Sequence, residues 1–190
     1  MITLSEINDK GQNLTIQWVQ PGLFKPWYEL RAGRYLLGKL RWRHFSFSEQ
    51  ALAEMGKDQW SFGYTQFVKP TVTIRRQNAL LPESTFLINW RGKSELILPD
   101  GASYLWEKSD HWGCAWKFVE ETTSRKGALP REICFTRQSG RLRKSVEVQF
   151  RPESGSIPDL TLLAPLGLYL FMLFERQAQS SSNPRLYVPA

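Results

Sequence analysis

Residues 159–177, DLTLLAPLGLYLFMLFERQ, form an apolar stretch near the end of an otherwise polar and basic chain. About 15 consecutive uncharged residues would span roughly 22 Å as a helix, less than the ~30 Å hydrocarbon core of a bilayer. Pro165 and Gly167 also weaken an isolated helix in lipid. The stretch therefore predicts a helix over about 161–176 that the protein buries in its own core. Pro165 fits best near the start of such a helix, for example with Thr161 as the N-cap.

Short segments of alternating or apolar character, separated by Gly, Asp and Pro, fill the chain before this helix. Their number and spacing are typical of an all-β sandwich or barrel. A closed barrel could bury an apolar helix completely by enclosing it. Residues 49–56, EQALAEMG, are rich in helix formers and are interpreted as a helix or a loop. The segments predicted to be strands are 28–31, 35–42, 59–64, 71–75, 85–90, 94–98, 103–106, 114–119, 132–137 and 145–150.

The length of 190 residues predicts a single domain over 1–178, followed by a flexible polar tail over 179–190. The first residues lack the basic and apolar pattern of a secretory signal, so a cytoplasmic protein is expected, either free or peripheral at a membrane. The two cysteines, Cys114 and Cys134, are interpreted as reduced thiols, with one disulfide as the alternative.

The order of these features resembles the tubby C-terminal-like superfamily, in particular its LURP-one-related and phospholipid scramblase branches. The resemblance covers about residues 28–176. It rests on the hairpin YELRAGRYLLGKLRW, the pair QWSFGYTQFVKPTVTIRR, the segment ELILPDGASYLWEKSDHWGCAWKFVEE and the terminal apolar helix. It implies a closed antiparallel β-barrel of about twelve strands threaded by the C-terminal helix. The chain lacks the cysteine cluster and the dense acidic segment of scramblases, so the resemblance implies the scaffold rather than calcium binding or lipid scrambling.

The formal charge of +7, with a pI near 9.6, attracts anionic partners over a long range. Alternation over 35–42 predicts that Leu36, Gly38, Leu40 and Trp42 face the core while the cations between them face outward. The alternative is a solvated basic face that protects strand edges. The candidate anion- and lipid-binding residues are Lys39, Arg41, Arg43, Arg75, Arg76, Arg141, Arg143 and Lys144, with Arg31 and Arg34 near the same hairpin.

No catalytic motif is present in the sequence. The only histidines are His44 and His111. A Cys–His pair between Cys114 and His111 would need spatial contact and an orienting group, and two histidines cannot supply a three-histidine zinc site. The expected function is that of a non-enzymatic binding or scaffold module without cofactor or metal.

Three hypotheses for the function fit these observations. Anionic phospholipid headgroups, phosphoinositides among them, suit the basic face, where each cation near an anionic membrane contributes on the order of 1 kcal/mol. A protein partner is the alternative, and an enzyme whose site carries no motif is a third hypothesis. Nucleic acid is less favoured, because stacking needs exposed aromatic side chains and Trp42 is predicted to face the core.

Overall fold

The computed structural model describes residues 15–22, 25–45, 48–66, 69–77, 79–109, 115–121, 131–138, 145–150 and 159–182. These ranges contain twelve strands and one helix. The elements are β1 (Ile16–Val19), β2 (Trp27–Ala32), β3 (Tyr35–Phe45), β4 (Ser48–Met55), β5 (Asp58–Thr65), β6 (Thr71–Arg76), β7 (Ser84–Leu87), β8 (Ser94–Ile97), β9 (Ser103–Lys108), β10 (Ala115–Glu120), β11 (Glu132–Gln138), β12 (Ser145–Phe150) and α1 (Leu160–Ser182).

The strands form one antiparallel sheet that curls into a nearly closed barrel. Consecutive strands pair from β1 to β7 and from β8 to β12, and β1 joins the two halves by pairing with β12. The end strands β7 and β8 meet at a seam, where the Ser84 hydroxyl donates a hydrogen bond to the Ile97 carbonyl at 2.6 Å. The prediction of a mainly β barrel with about twelve strands is confirmed.

Helix α1 occupies the interior of the barrel. Every residue of 162–174 is buried, and inward side chains of the strands surround the helix. Tyr169 is stacked on Trp42 with ring centroids 4.9 Å apart and lies 5.4 Å from Phe62. The apolar stretch is therefore core, as its length predicts. Across the described residues, no helix meets the combined requirement of length and hydropathy for crossing a membrane.

The start of α1 differs from the prediction. The Asp159 carbonyl accepts the first helical hydrogen bonds, from the amides of Leu162 and Leu163 at 2.9 and 2.8 Å. Thr161 therefore lies inside the first turn and is not the N-cap. The Asp159 side chain instead accepts a hydrogen bond from the Tyr104 hydroxyl on β9 at 3.0 Å, which ties the helix start to the barrel wall.

The end of α1 lies at Ser182, six residues beyond the predicted end at Arg176. Gln177, Ala178 and Gln179 are good helix formers, so the helix continues after its apolar face ends. Side chains 177–179 are exposed.

Two strands were not predicted from the sequence. β1 supplies Trp18, which is completely buried in the hydrophobic core. β4 covers the segment interpreted as a helix or loop, and that interpretation is wrong. Ala51, Ala53 and Met55 alternate into the core while β3 and β5 pair on either side. Cross-strand pairing and burial here override the helix propensity of the sequence.

A β-bulge in β3 corrects the predicted orientation of one residue. Leu30 pairs with Gly38 and Arg31 pairs with Leu36, so Leu37 is the extra residue on β3. The bulge shifts the alternation, and Leu37 rather than Leu36 is buried. Leu36 faces outward and is exposed.

Candidate functional site

Three cations follow one another on the outer face of β3. Arg41 and Arg43 are exposed and Lys39 is half-buried, whereas the intervening Leu40 and Trp42 lie in the core. The period of two beyond the bulge thus places the predicted cations outward.

Lys39 lies between two acidic residues on neighbouring strands. The register sets it opposite Glu29 of β2 and Glu54 of β4. Glu29 also accepts a hydrogen bond from Arg31 Nη2 at 2.6 Å. Carboxylates therefore offset the charges of Lys39 and Arg31, and this part of the face attracts anions only weakly.

Arg41 and Arg43 have a different setting. Arg41 pairs with Trp27 on β2 and Leu52 on β4, and Arg43 pairs with Gln50 on β4. Within the described ranges, neither arginine has a carboxylate directly opposite it on these strands. Their charges are consequently available to an external anion.

Arg75 of β6 faces the same side of the barrel. One row of paired residues runs Arg41, Leu52, Ser61 and Arg75 across β3 to β6. Three interstrand steps of about 4.8 Å separate the backbones of Arg41 and Arg75 by roughly 14 Å. The two arginines can therefore flank a single bound group or two neighbouring headgroups.

Arg76, the adjacent predicted residue, is engaged within the protein. Its Nε lies 3.6 Å from Glu83 Oε2, and its guanidinium lies 4.8 Å from the ring centroid of Trp60. Arg34, in the β2–β3 turn, donates to the Tyr35 hydroxyl at 3.2 Å, and this hydrogen bond raises the pKa of Arg34. Arg76 and Arg34 therefore already have partners within the protein, and of these three cations only Arg75 is kept in the candidate site.

A depression of about 350 Å³ opens on the outer face of β4, β5 and β6. Gly63 forms its floor because a side chain is missing there, and a β-carbon at this position would meet no other atom within 4 Å. The alternation of residue types in the sequence does not predict this depression. The register between the strands determines which residues surround Gly63. The polar residues that line it include Gln50, Ser61, Thr65, Thr73 and Arg75.

This composition suits a tetrahedral oxyanion. Hydroxyl and amide groups donate hydrogen bonds, and a guanidinium binds phosphate oxygens in a bidentate manner. Arg43 lies next to Gln50 in the same row as Gly63, so a second guanidinium borders the depression. We name the surface formed by Arg41, Arg43, Arg75 and this depression the β3–β6 face.

Several residues singled out in the sequence lie outside the described ranges. Cys134 is half-buried on β11, but Cys114 lies outside the described ranges, so the choice between two thiols and a disulfide stays a prediction. The side chain of His44 is not among those described. The other residues outside the described ranges are Arg141, Arg143, Lys144 and His111.

A second charged group, on β9 to β11, is internally compensated. Lys117 Nζ lies 3.0 Å from Glu132 and 3.4 Å from Glu107, and Lys93 lies 2.6 Å from Glu107. Burial raises the pKa of Glu107, but hydrogen bonds and charge from Lys93 and Lys117 outweigh it and hold that pKa below its ordinary value. Burial lowers the pKa of Lys117, but Glu132 and Glu107 outweigh it and raise that pKa. This network joins strands and offers little net charge.

Comparison of the chain with protein-family models, with curated proteins and with solved structures finds no match. Over the residues that the structure describes, no three His, Cys, Asp or Glu side chains come together as metal ligands would.

Proposed function

We propose that this protein is a non-enzymatic binding module that associates with anionic phospholipid headgroups through its β3–β6 face. The resemblance of the sequence to tubby-like barrels supports the proposal at the level of the scaffold. The observation that carries it is the arrangement of Arg41, Arg43 and Arg75 around a hydroxyl-lined depression, with no acidic residue opposite them on the strands described above.

Apolar groups beside this face favour a membrane over a free anion. The loop after β6 exposes Leu80 and Leu81 by 95% and 77%, only a few residues beyond Arg75. Trp27, next to Arg41, is half-buried on the outer side, and the Lys25 ammonium lies 4.9 Å from its ring centroid. Tryptophan favours the headgroup region of bilayers, and leucines add apolar burial once the protein is adsorbed.

Co-sedimentation with vesicles tests the proposal. Wild-type protein is expected to bind phosphatidylcholine vesicles that contain phosphatidylserine or a phosphoinositide, to ignore pure phosphatidylcholine, and to dissociate as salt is raised. Binding that is the same with and without anionic lipid would exclude a headgroup interaction, and so would the absence of binding.

A matched pair of variants locates the surface. In Arg43→Ser/Arg75→Ser, the loss of two cations worth about 1 kcal/mol each weakens association about 30-fold. Lys93→Ser/Arg131→Ser removes the same formal charge from the β8–β11 side and is expected to retain most of the binding. Equal losses in the two variants would show that net charge, rather than the β3–β6 face, drives association.

A further inference from the structure

A second cavity lies at the barrel end where α1 emerges. It has a volume of about 630 Å³, within the range of small-molecule pockets. The ends of β9, β10 and β11, the β7–β8 connection and the last exposed turns of α1 surround it. Because these segments are distant in sequence, no local motif signals the cavity. Its lining residues are Trp90, Arg91, Lys108, Trp116, Arg137, Phe174, Glu175, Gln177, Ala178 and Gln179.

The inner wall of this cavity is aromatic. The Phe174 ring centroid lies 4.4 Å from that of Trp116 and 4.7 Å from that of Trp90. Trp116 and Phe174 are only 5% and 6% exposed, so the core holds both rings in place. They support the half-buried ring of Trp90, which offers the accessible aromatic surface of the cavity. A ring held in this way favours stacking by a planar apolar group, because little side-chain freedom is lost on binding.

The rim of the cavity is cationic. Among the described residues that line it, Lys108, Arg91 and Arg137 accompany one carboxylate, Glu175, which gives these residues a formal charge of +2. Arg137 Nη1 donates to Glu175 Oε1 at 2.8 Å, so this pair is already matched. Lys108 and Arg91 have no carboxylate partner among the described residues. The Lys108 ammonium instead lies 5.7 Å from the ring centroid of Trp116, directly beside the aromatic wall.

We propose that this cavity binds a small organic anion with a planar aromatic body, such as an aryl carboxylate. The ring would stack on the half-buried Trp90, beside the edges of Trp116 and Phe174, and the carboxylate would accept charge-assisted hydrogen bonds from Lys108 and Arg91. A cation beside an aromatic wall favours ligands that carry both a negative charge and an aromatic ring. The site is separate from the β3–β6 face and does not depend on membrane binding.

Titration calorimetry with 2-naphthoate and its neutral counterpart 2-naphthamide tests the proposal. Both share the ring system, and only the first carries a charge. The naphthoate is expected to bind at least about tenfold more tightly, which corresponds to one charge-assisted contact. Equal affinities would overturn the assignment of an anion site, and the absence of naphthoate binding would overturn the site itself.

Two variants place the ligand in the cavity. Lys108→Met keeps most of the length of the side chain but removes the charge, and is expected to weaken naphthoate binding about tenfold with little effect on naphthamide. Lys57→Met, in the β4–β5 turn, is the control and should leave both affinities unchanged. Because both lysines are exposed, each variant is expected to keep the wild-type circular dichroism spectrum and unfolding midpoint. Unchanged naphthoate affinity in Lys108→Met would contradict the proposal.

Discussion

The ring of Phe135 on β11 packs directly against the backbone of α1 at Gly167, so closely that a β-carbon at residue 167 would overlap the ring. Phe135 is completely buried and also contacts Trp106, with centroids 5.6 Å apart. Glycine at residue 167 weakens the helix by itself, yet it allows the helix and the barrel wall to approach at this point.

Gly167→Ala is therefore expected to destabilise the protein, although alanine favours helices more than glycine does. The overlap with Phe135 should lower the free energy of unfolding by about 2 kcal/mol, as overpacking in cores does. Urea unfolding measures the change. In a Phe135→Leu background the same substitution should cost less, because the smaller side chain leaves room for the methyl group. An equal cost in both backgrounds would show that the Phe135 ring is not the obstacle.

Asp159 predicts a pH dependence of stability. Burial raises the pKa of its carboxyl, and the hydrogen bond from Tyr104 lowers it only in part. The folded protein therefore holds this proton more tightly than the unfolded chain does. The contribution to stability is complete below the ordinary pKa of 3.8 and is lost as the pH rises through the higher pKa of the folded state.

Asp159→Asn removes this titration and keeps an oxygen that can accept the Tyr104 hydrogen bond. Urea unfolding at a series of pH values from acid to neutral should show the variant gaining stability relative to wild type as the pH rises. Tyr104→Phe should enlarge the dependence, since the carboxylate then loses its donor. A difference between variant and wild type that stays constant with pH would contradict this account of Asp159.

The charge network on β9 to β11 predicts unequal roles for two lysines. Lys117 is 20% exposed in its side chain and contacts both Glu107 and Glu132, so Lys117→Met is expected to cost about 2 kcal/mol of unfolding free energy. Lys93 is 64% exposed, so Lys93→Met should cost about 0–1 kcal/mol. Because the pKa of Glu107 is lowered, the Lys117 effect should shrink as the pH falls below the ordinary value of 4.5 and that carboxyl becomes protonated. Equal costs for the two lysines at neutral pH would contradict the network.

Leu80→Ser/Leu81→Ser tests the apolar part of the proposed membrane contact. The loss of two partly inserted side chains, worth about 1–2 kcal/mol together, should weaken vesicle binding about tenfold without removing its salt dependence. Leu87→Ser/Ile97→Ser removes two exposed apolar side chains at the seam between β7 and β8 and serves as the control. If the control loses as much binding as the loop variant, the loop is not the contact.

Much of the fold could be predicted because two patterns in the sequence are strong. The length of the apolar stretch predicts an enclosed helix, and alternating segments predict most of the wall. β4 could not be predicted, because its alanines and glutamates favour a helix until β3 and β5 pair with it. The bulge at Leu37 depends on the register between β2 and β3, which the pattern of one strand does not contain.

The candidate site was predictable only in part. The cations of β3 follow from alternation, but the compensation of Lys39 by Glu29 and Glu54 depends on strand pairing. The depression at Gly63 is a gap, which no side chain marks in the sequence. Similarly, the cavity at the end of the barrel combines Trp90, Trp116 and Phe174 from three distant segments.

The central claim is that the depression on the β3–β6 face binds a phosphorylated headgroup, and amide chemical shifts test it most directly. Titration of ¹⁵N-labelled protein with soluble inositol 1,4,5-trisphosphate should shift the amides of Ser61, Gly63 and Thr73, and added salt should reverse the shifts. The shifts should be lost in Arg43→Ser/Arg75→Ser. No shift at these amides, or shifts confined to another part of the barrel, would contradict the claim.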